Sequence, residues 1–243
     1  MKNVLNNIQH NIFVNNKQLA VLIDPEKIRL SDVEAFVKKI NKSVANYIFV
    51  GGSTVPVDLT EPLVVEIKKH TNLPVILFPG DVAQITNKAN ALLFISLLSG
   101  RNPAYLIGKH VEAIPRLKET TLEIIPTGYL LIENEGVETM VQKVTETEPM
   151  PTKQIENIVN TALAGELLGM RLIYLEAGSG AKNPVSPEII KAVRDDLSIP
   201  LIVGGGIKSK AQLNAAFEAG ANIVVIGTAL EKNDEFFQEL RRW

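Results

Sequence analysis

Eight stretches of the chain are apolar on consecutive positions rather than alternate ones: Leu19–Asp24, Tyr47–Gly52, Pro74–Phe78, Ala91–Leu98, Leu122–Leu131, Leu172–Glu176, Pro200–Val203 and Asn222–Ile226. A strand with one wet face alternates apolar and polar side chains. These runs do not, so they predict strands buried on both faces, as in a parallel sheet covered by helices. Between them the period changes to that of a helix. Ser31 and Glu34 are spaced as a capping box, followed by the stripe Val33, Phe36, Val37 and Ile40. Ser186 with Pro187 predicts a second start, and Ser209 with Gln212 a third, ending at Gly220. A fourth helix is expected from Thr152 to Gly169.

Eight strand–helix units in 243 residues predict an α/β fold, a (β/α)8 TIM barrel in a single domain. A doubly wound open sheet competes, but no dinucleotide-type glycine fingerprint follows the first strand. Two segments stand outside the repeat. Residues 1–18 are rich in asparagine and lack the continuous apolar core of a signal peptide. Residues 133–150 are an acidic insertion after the fifth strand. There Val137, Met140, Val141 and Val144 predict a short amphipathic helix, readable as extra packing or as a lid.

Composition narrows the classes. With 46% hydrophobic and 21% charged residues there is ample core material, and a net charge of -2 creates no field for nucleic acid or anionic membrane. The absence of cysteine excludes disulfides, thiolate metal sites and thiol nucleophiles. The longest apolar stretch, Ala91–Leu98, falls far short of the roughly 20 residues of a spanning helix. The expectation is a cytoplasmic protein without a transmembrane segment.

In a barrel every strand presents its C-terminal end to one face, where chemistry is done. Three late ends are rich in glycine: EAGSGA, VGGGI and IGTAL. Glycine lets backbone amides approach an anion, so Gly178, Ser179, Gly180, Gly205, Gly206, Gly227 and Thr228 are candidates for holding a phosphate. The first strand ends in LIDPEK and the second in FVGGST. Asp24 reads equally as a turn residue or, beside Ser53, as part of a Mg²⁺ site completed by substrate phosphates. Glu176 lies two residues before its glycine loop. An acid repels a phosphate, so it serves better as acceptor of a proton from a substrate hydroxyl, with Tyr174 two residues back on the same face. His10, His70 and His110 fall in the N-terminal segment or in helices and read as surface residues. Lys182 lies out in a loop, which argues against a Schiff-base aldolase. An isomerase or synthase acting on a sugar phosphate, or an inert phosphoester-binding protein, are the rival readings.

Taken in order, DPEK, FVGGST, FPG, NPAYLIG, PTGYLLIE, YLEAGSGA, VGGGI and GTAL resemble the geranylgeranylglyceryl phosphate synthase family and its heptaprenylglyceryl relatives, from Asp24 to about Leu230. The resemblance implies a barrel prenyltransferase that joins sn-glycerol 1-phosphate to a polyprenyl diphosphate, and a homo-oligomer. It implies that Tyr174, Leu175, Glu176, Ala177, Gly178, Ser179, Gly180, Gly205, Gly206, Gly227 and Thr228 hold the glycerol phosphate. It also implies that Asp24 and Ser53 hold Mg²⁺, and that Glu176 handles the attacking hydroxyl. The heptaprenyl branch resembles KLDP at strand one, where this chain has Leu22 in place of the lysine, which points to the archaeal-type group. An apolar groove for the tail is expected beside strands two to four, with Gly80 and Ala83 leaving room and Tyr105 and Tyr129 contributing.

Overall fold

Each of the eight apolar runs forms a strand, and the strands close into a parallel barrel in chain order. The computed structural model describes residues 3–135, 138–232 and 234–241. The strands are β1 (Gln18–Ile23), β2 (Ala45–Val50), β3 (Val75–Leu77), β4 (Ala91–Leu97), β5 (Glu123–Leu131), β6 (Leu172–Glu176), β7 (Leu201–Gly204) and β8 (Ile223–Ile226). The helices are α1 (Val4–Phe13), α2 (Leu30–Ile40), α3 (Thr60–His70), α4 (Lys109–Leu117), α5 (Met140–Thr145), α6 (Ile155–Leu167), α7 (Pro187–Asp196), α8 (Lys210–Glu218), α9 (Thr228–Lys232) and α10 (Asp234–Glu239). A 3-10 turn, Val82–Gln84, follows β3, and a π-helical turn, Ala104–Gly108, leads into α4.

The two-residue period of each strand sorts its side chains into two cores. Tyr47, Phe49, Ile76, Leu93, Tyr174 and Ile202 fill the barrel. Ile48, Val50, Leu175, Val203, Val224 and Ile226 pack against the helices. Burying each such aliphatic side chain contributes about 1.5–3 kcal/mol, which is why runs with no polar position close into this shape.

The asparagine-rich N-terminus forms a helix that plugs the bottom of the barrel. Val4, Leu5 and Ile8 of α1 join the interior core. The Glu123 carboxylate accepts from the amides of Val4 at 2.5 Å and Leu5 at 3.0 Å, capping the helix start. Tyr47 Oη lies 2.9 Å from Asn7 Oδ1 and 2.7 Å from Gln18 Oε1, so the asparagines satisfy polar groups at the barrel floor.

The Ser186 and Ser209 starts and the Gly220 stop are as expected; Gly220 has φ +109°, open to glycine at little cost. Two expectations are corrected. The capping box at Ser31 does not form: α2 begins at Leu30, and an ion pair from Arg29 Nε to Asp32 Oδ2 at 2.9 Å holds its first turn while Glu34 pairs with Lys38. The fourth expected helix starts at Ile155 rather than Thr152, because Gln154 N donates to Pro151 O in a preceding turn.

The insertion leaves and returns to the barrel at one place. Glu133 N donates to Met150 O, and Met150 N donates to Leu131 O. Within it, α5 is the expected short helix, started by a capping box of Thr139 and Gln142; Val137 lies outside the described residues. No helix among the described residues is long and apolar enough to cross a membrane.

Candidate active site

At the C-terminal end of the barrel lies a cavity of about 540 Å³ that reaches across the whole mouth. One end is glycine-rich, formed by Ser179, Gly180, Gly205, Gly206, Gly227 and Thr228. Ser179 Oγ and Thr228 Oγ1 lie 3.4 Å apart, so the loops after β6 and β8 meet. Gly205 and Gly206 carry φ of +82° and +71°, a left-handed pair that turns the chain sharply at the end of β7. The other end is apolar, with Val82, Ile85, Leu92, Phe94 and Ala113 in its wall.

Glu176 lines the same cavity against Gly178 and Gly205 and is buried, with 6% of its surface exposed. Its Oε1 accepts from the Gly178 amide at 2.6 Å. Burial pushes the carboxyl up to about 7, and the Gly178 bond opposes that rise. Tyr174 and Tyr129 share the cavity with it, and burial followed by the Glu176 charge raises both phenols well above their ordinary value. Both therefore stay protonated as donors at neutral pH. Phe78 stacks on the Tyr174 ring at 5.2 Å, Tyr129 packs against it at 5.3 Å, and the two lie 6.0 Å from each other, so the three rings form one packed triangle.

Asp24 and Ser53 also line the cavity, at the ends of the adjacent strands β1 and β2. Asp24 Oδ2 pairs with Lys27 at 3.0 Å, and its Oδ1 accepts from Glu26 N at 3.1 Å. Among the described residues no cluster of three metal-ligating side chains occurs. A single carboxylate with a hydroxyl fits Mg²⁺, which binds few protein groups and takes phosphate oxygens and waters for the rest.

Several expected residues reach the site differently or not at all. Leu175 and Ala177 turn their side chains into the outer core, because they alternate with Tyr174 and Glu176. The Gly178 amide is engaged by Glu176, so it is a support for the acid rather than a free donor to a phosphate. Gly80, Tyr105 and Tyr129 line the cavity, but Ala83 does not; it lies in a separate cleft with Thr60 and Arg116. The 3-10 turn explains this, since it aims Val82 and Ala83 to different sides. Gly80 is small for another reason than tail room. A Cβ there would come within 2.5 Å of Gly52 O and 2.8 Å of Ser53 Cα, so glycine lets two strand-end loops touch.

The insertion walls the cavity. Val141, Val144 and Thr145 line it, and Tyr105 Oη donates to Val144 O at 3.1 Å while Asn102 Nδ2 donates to Thr145 O at 3.0 Å. Asn134 Oδ1 accepts from Lys182 N at 3.1 Å, tying the base of the insertion to the loop after β6.

The chain matches the PcrB family over residues 12–241. It belongs to that family. It is 55% identical over 223 residues to the geranylgeranylglyceryl phosphate synthase of Zunongwangia profunda, covering 92% of this chain and 94% of the relative. To the enzyme of the same name from Flavobacterium johnsoniae it is 52% identical over 221 residues, covering 91% and 90%. The crystal structure of (S)-3-O-geranylgeranylglyceryl phosphate synthase from Thermoplasma acidophilum, in complex with its substrate sn-glycerol-1-phosphate, superposes with a TM-score of 0.92 at 32% identity, covering 99% of this chain and 96% of that one.

In this PcrB-family chain two further residues belong with the site. Lys208 lines the cavity, and its Nζ donates to the uncharged Lys182 carbonyl at 3.3 Å, so its positive charge remains available to an anion. The signal was a lysine two residues after a glycine run at a late strand end. His110 corrects the surface reading: only 8% exposed, it packs edge-on to Phe94 at 4.3 Å and lies 3.3 Å from Ser96 Oγ. Burial lowers its pKa, so it is a neutral part of the apolar wall. The π turn before α4 adds a residue to the helix repeat and rotates His110 inward, which simple periodicity does not register.

Proposed function

We propose that this protein transfers a geranylgeranyl group from its diphosphate to sn-glycerol 1-phosphate, giving a prenylglyceryl phosphate ether and diphosphate. The observation that carries the reading is Glu176, a buried acid in one cavity that has both glycine-rich loops and an apolar arm. The names and substrate of the relatives support the same assignment.

In this reading the loops with Ser179, Gly180, Gly205, Gly206, Gly227 and Thr228 hold the glycerol phosphate, aided by Lys208. The apolar arm, with Gly80, Tyr105 and Tyr129 in its wall, takes the prenyl chain. Asp24 and Ser53 are the residues that would hold Mg²⁺, which when bound neutralises charge on the departing diphosphate. Glu176 accepts the proton of the glycerol hydroxyl as that oxygen bonds to the allylic carbon and the carbon–oxygen bond to diphosphate breaks. A carboxyl that titrates near neutrality is suited to receive a proton there and release it afterwards. The phenols of Tyr174 and Tyr129 orient the acid and the alcohol, and fixing two substrates in one cavity supplies much of the rate.

Incubating the protein with Mg²⁺, geranylgeranyl diphosphate and either glycerol 1-phosphate or glycerol 3-phosphate tests the proposal. Prenyl ether forms with the 1-phosphate in preference to the 3-phosphate. Binding of glycerol phosphate without any ether, at every prenyl length tried, would make the protein an inert binder.

A further inference from the structure

Glu176 pairs in register with Gly204, the last residue of β7. Gly204 is not among the glycines with positive φ, unlike Gly205 and Gly206, so its backbone would accept any residue. Space is what excludes them. A Cβ at Gly204 would overlap the Tyr174 hydroxyl, come within 2.9 Å of Tyr174 Cζ and reach 3.0 Å from Glu176 Oε2. A Cβ at Gly205 would overlap Glu176 Oε1 and approach the Gly178 amide at 2.7 Å. The two carboxylate oxygens therefore rest on two consecutive bare α-carbons.

Tyr174 has no room to yield. Its ring is packed into a triangle with Phe78 and Tyr129, and it is fully buried. Its hydroxyl lies beside the Glu176 carboxylate without a well-formed hydrogen bond, so packing does most to fix its position, and Gly204 is the surface it packs on. Any side chain at 204 would have to push the phenol out of the aromatic stack or push the carboxylate toward the mouth.

We infer that Gly204 is a positioning residue for the transfer reaction: its missing side chain forms the seat that holds the Tyr174 hydroxyl and the Glu176 carboxylate in one fixed relation. The inference rests on the transferase reading given above. Gly204 does not line the cavity itself, and the atoms nearest its α-carbon's open side belong to Tyr174 and Glu176, so its effect runs through these two side chains.

The test is a cycle of Gly204→Ala, Tyr174→Phe and the double variant. Displacing a reacting group by about 1 Å costs about 10²-fold in turnover, so Gly204→Ala loses kcat on that scale. KM for the prenyl diphosphate stays near the wild-type value, because the apolar arm is untouched. Tyr174→Phe removes the hydroxyl that the new Cβ would overlap, leaving Cζ and Glu176 Oε2 to give by a few tenths of an ångström. The double variant therefore recovers toward the turnover of Tyr174→Phe alone, a non-additivity that two independent defects do not produce. Wild-type kcat in Gly204→Ala, or losses in the double variant equal to the product of the single losses, would overturn the inference. Calorimetric binding of sn-glycerol 1-phosphate to the same four proteins reads the seat without turnover and follows the same rescue. Absence of ether from the wild-type protein would instead count against the transferase reading, leaving the binding cycle to decide on Gly204. If Gly204→Ala is too unstable to assay, the double variant, relieved of the overlap with the hydroxyl, is the more stable of the two in urea; a double variant no more stable than Gly204→Ala would refute the seat.

Discussion

Glu176 is predicted to cost the folded protein stability at neutral and alkaline pH. In the unfolded chain its carboxyl titrates at the ordinary 4.5, and in the folded protein burial raises it to about 7. Below the lower value the group is protonated in both states and contributes no difference. As pH rises from 4.5 toward 7 the unfolded chain releases its proton first, so folding becomes less favourable. Above 7 the full deficit applies, about 3 kcal/mol from a rise of this size. Glu176→Gln keeps an acceptor for the Gly178 amide while removing the titrating proton. The variant is therefore more stable than wild type by up to about 3 kcal/mol at about pH 8, and the two converge near pH 4. Urea unfolding at a series of pH values, with unchanged slope, measures the gap directly. A gap that is constant with pH, or that widens toward acid, would refute the reasoning about burial. A stabilising substitution at this position also marks the acid as retained for reaction rather than for folding.

Further outcomes follow from the same geometry. The kcat/KM of the wild-type protein rises with pH along a limb near 7 as Glu176 loses its proton, and a flat profile from pH 5 to 9 would remove it as the base. Gly206→Ala places a side chain at φ +71° against the Asn183 carbonyl, so KM for glycerol phosphate rises about tenfold or more and stability in urea falls by about 1–3 kcal/mol. Glu123→Ala uncaps α1 at the far end of the barrel and lowers stability by about 1–2 kcal/mol in a urea titration; any change in kcat would be unexpected.

The strands were legible because both their faces are buried, so nothing polar interrupts the runs and a fully packed sheet announces itself in composition. The glycine loops were legible because a barrel puts every strand end at one mouth. What stayed hidden depends on relations across the chain. Gly204 looked like one more turn glycine in VGGGI, and only the register of β6 on β7 reveals that it lies under Tyr174 and Glu176. Gly80 and Ala83 read alike as small residues, yet one permits a loop contact and the other faces a different cleft. His110 needed the π turn to face inward. The plug helix α1 carries too few apolar residues to stand out, because its asparagines meet polar groups of the barrel floor rather than solvent alone.

The central claim is that Glu176 accepts the proton during ether formation. Turnover of Glu176→Gln with Mg²⁺, geranylgeranyl diphosphate and sn-glycerol 1-phosphate tests it, alongside the calorimetric affinity for the glycerol phosphate. Removing a positioned general base lowers turnover by about 10²–10⁴-fold, and here the affinity changes little because the glycine loops are intact. Unaltered turnover in Glu176→Gln would contradict the account.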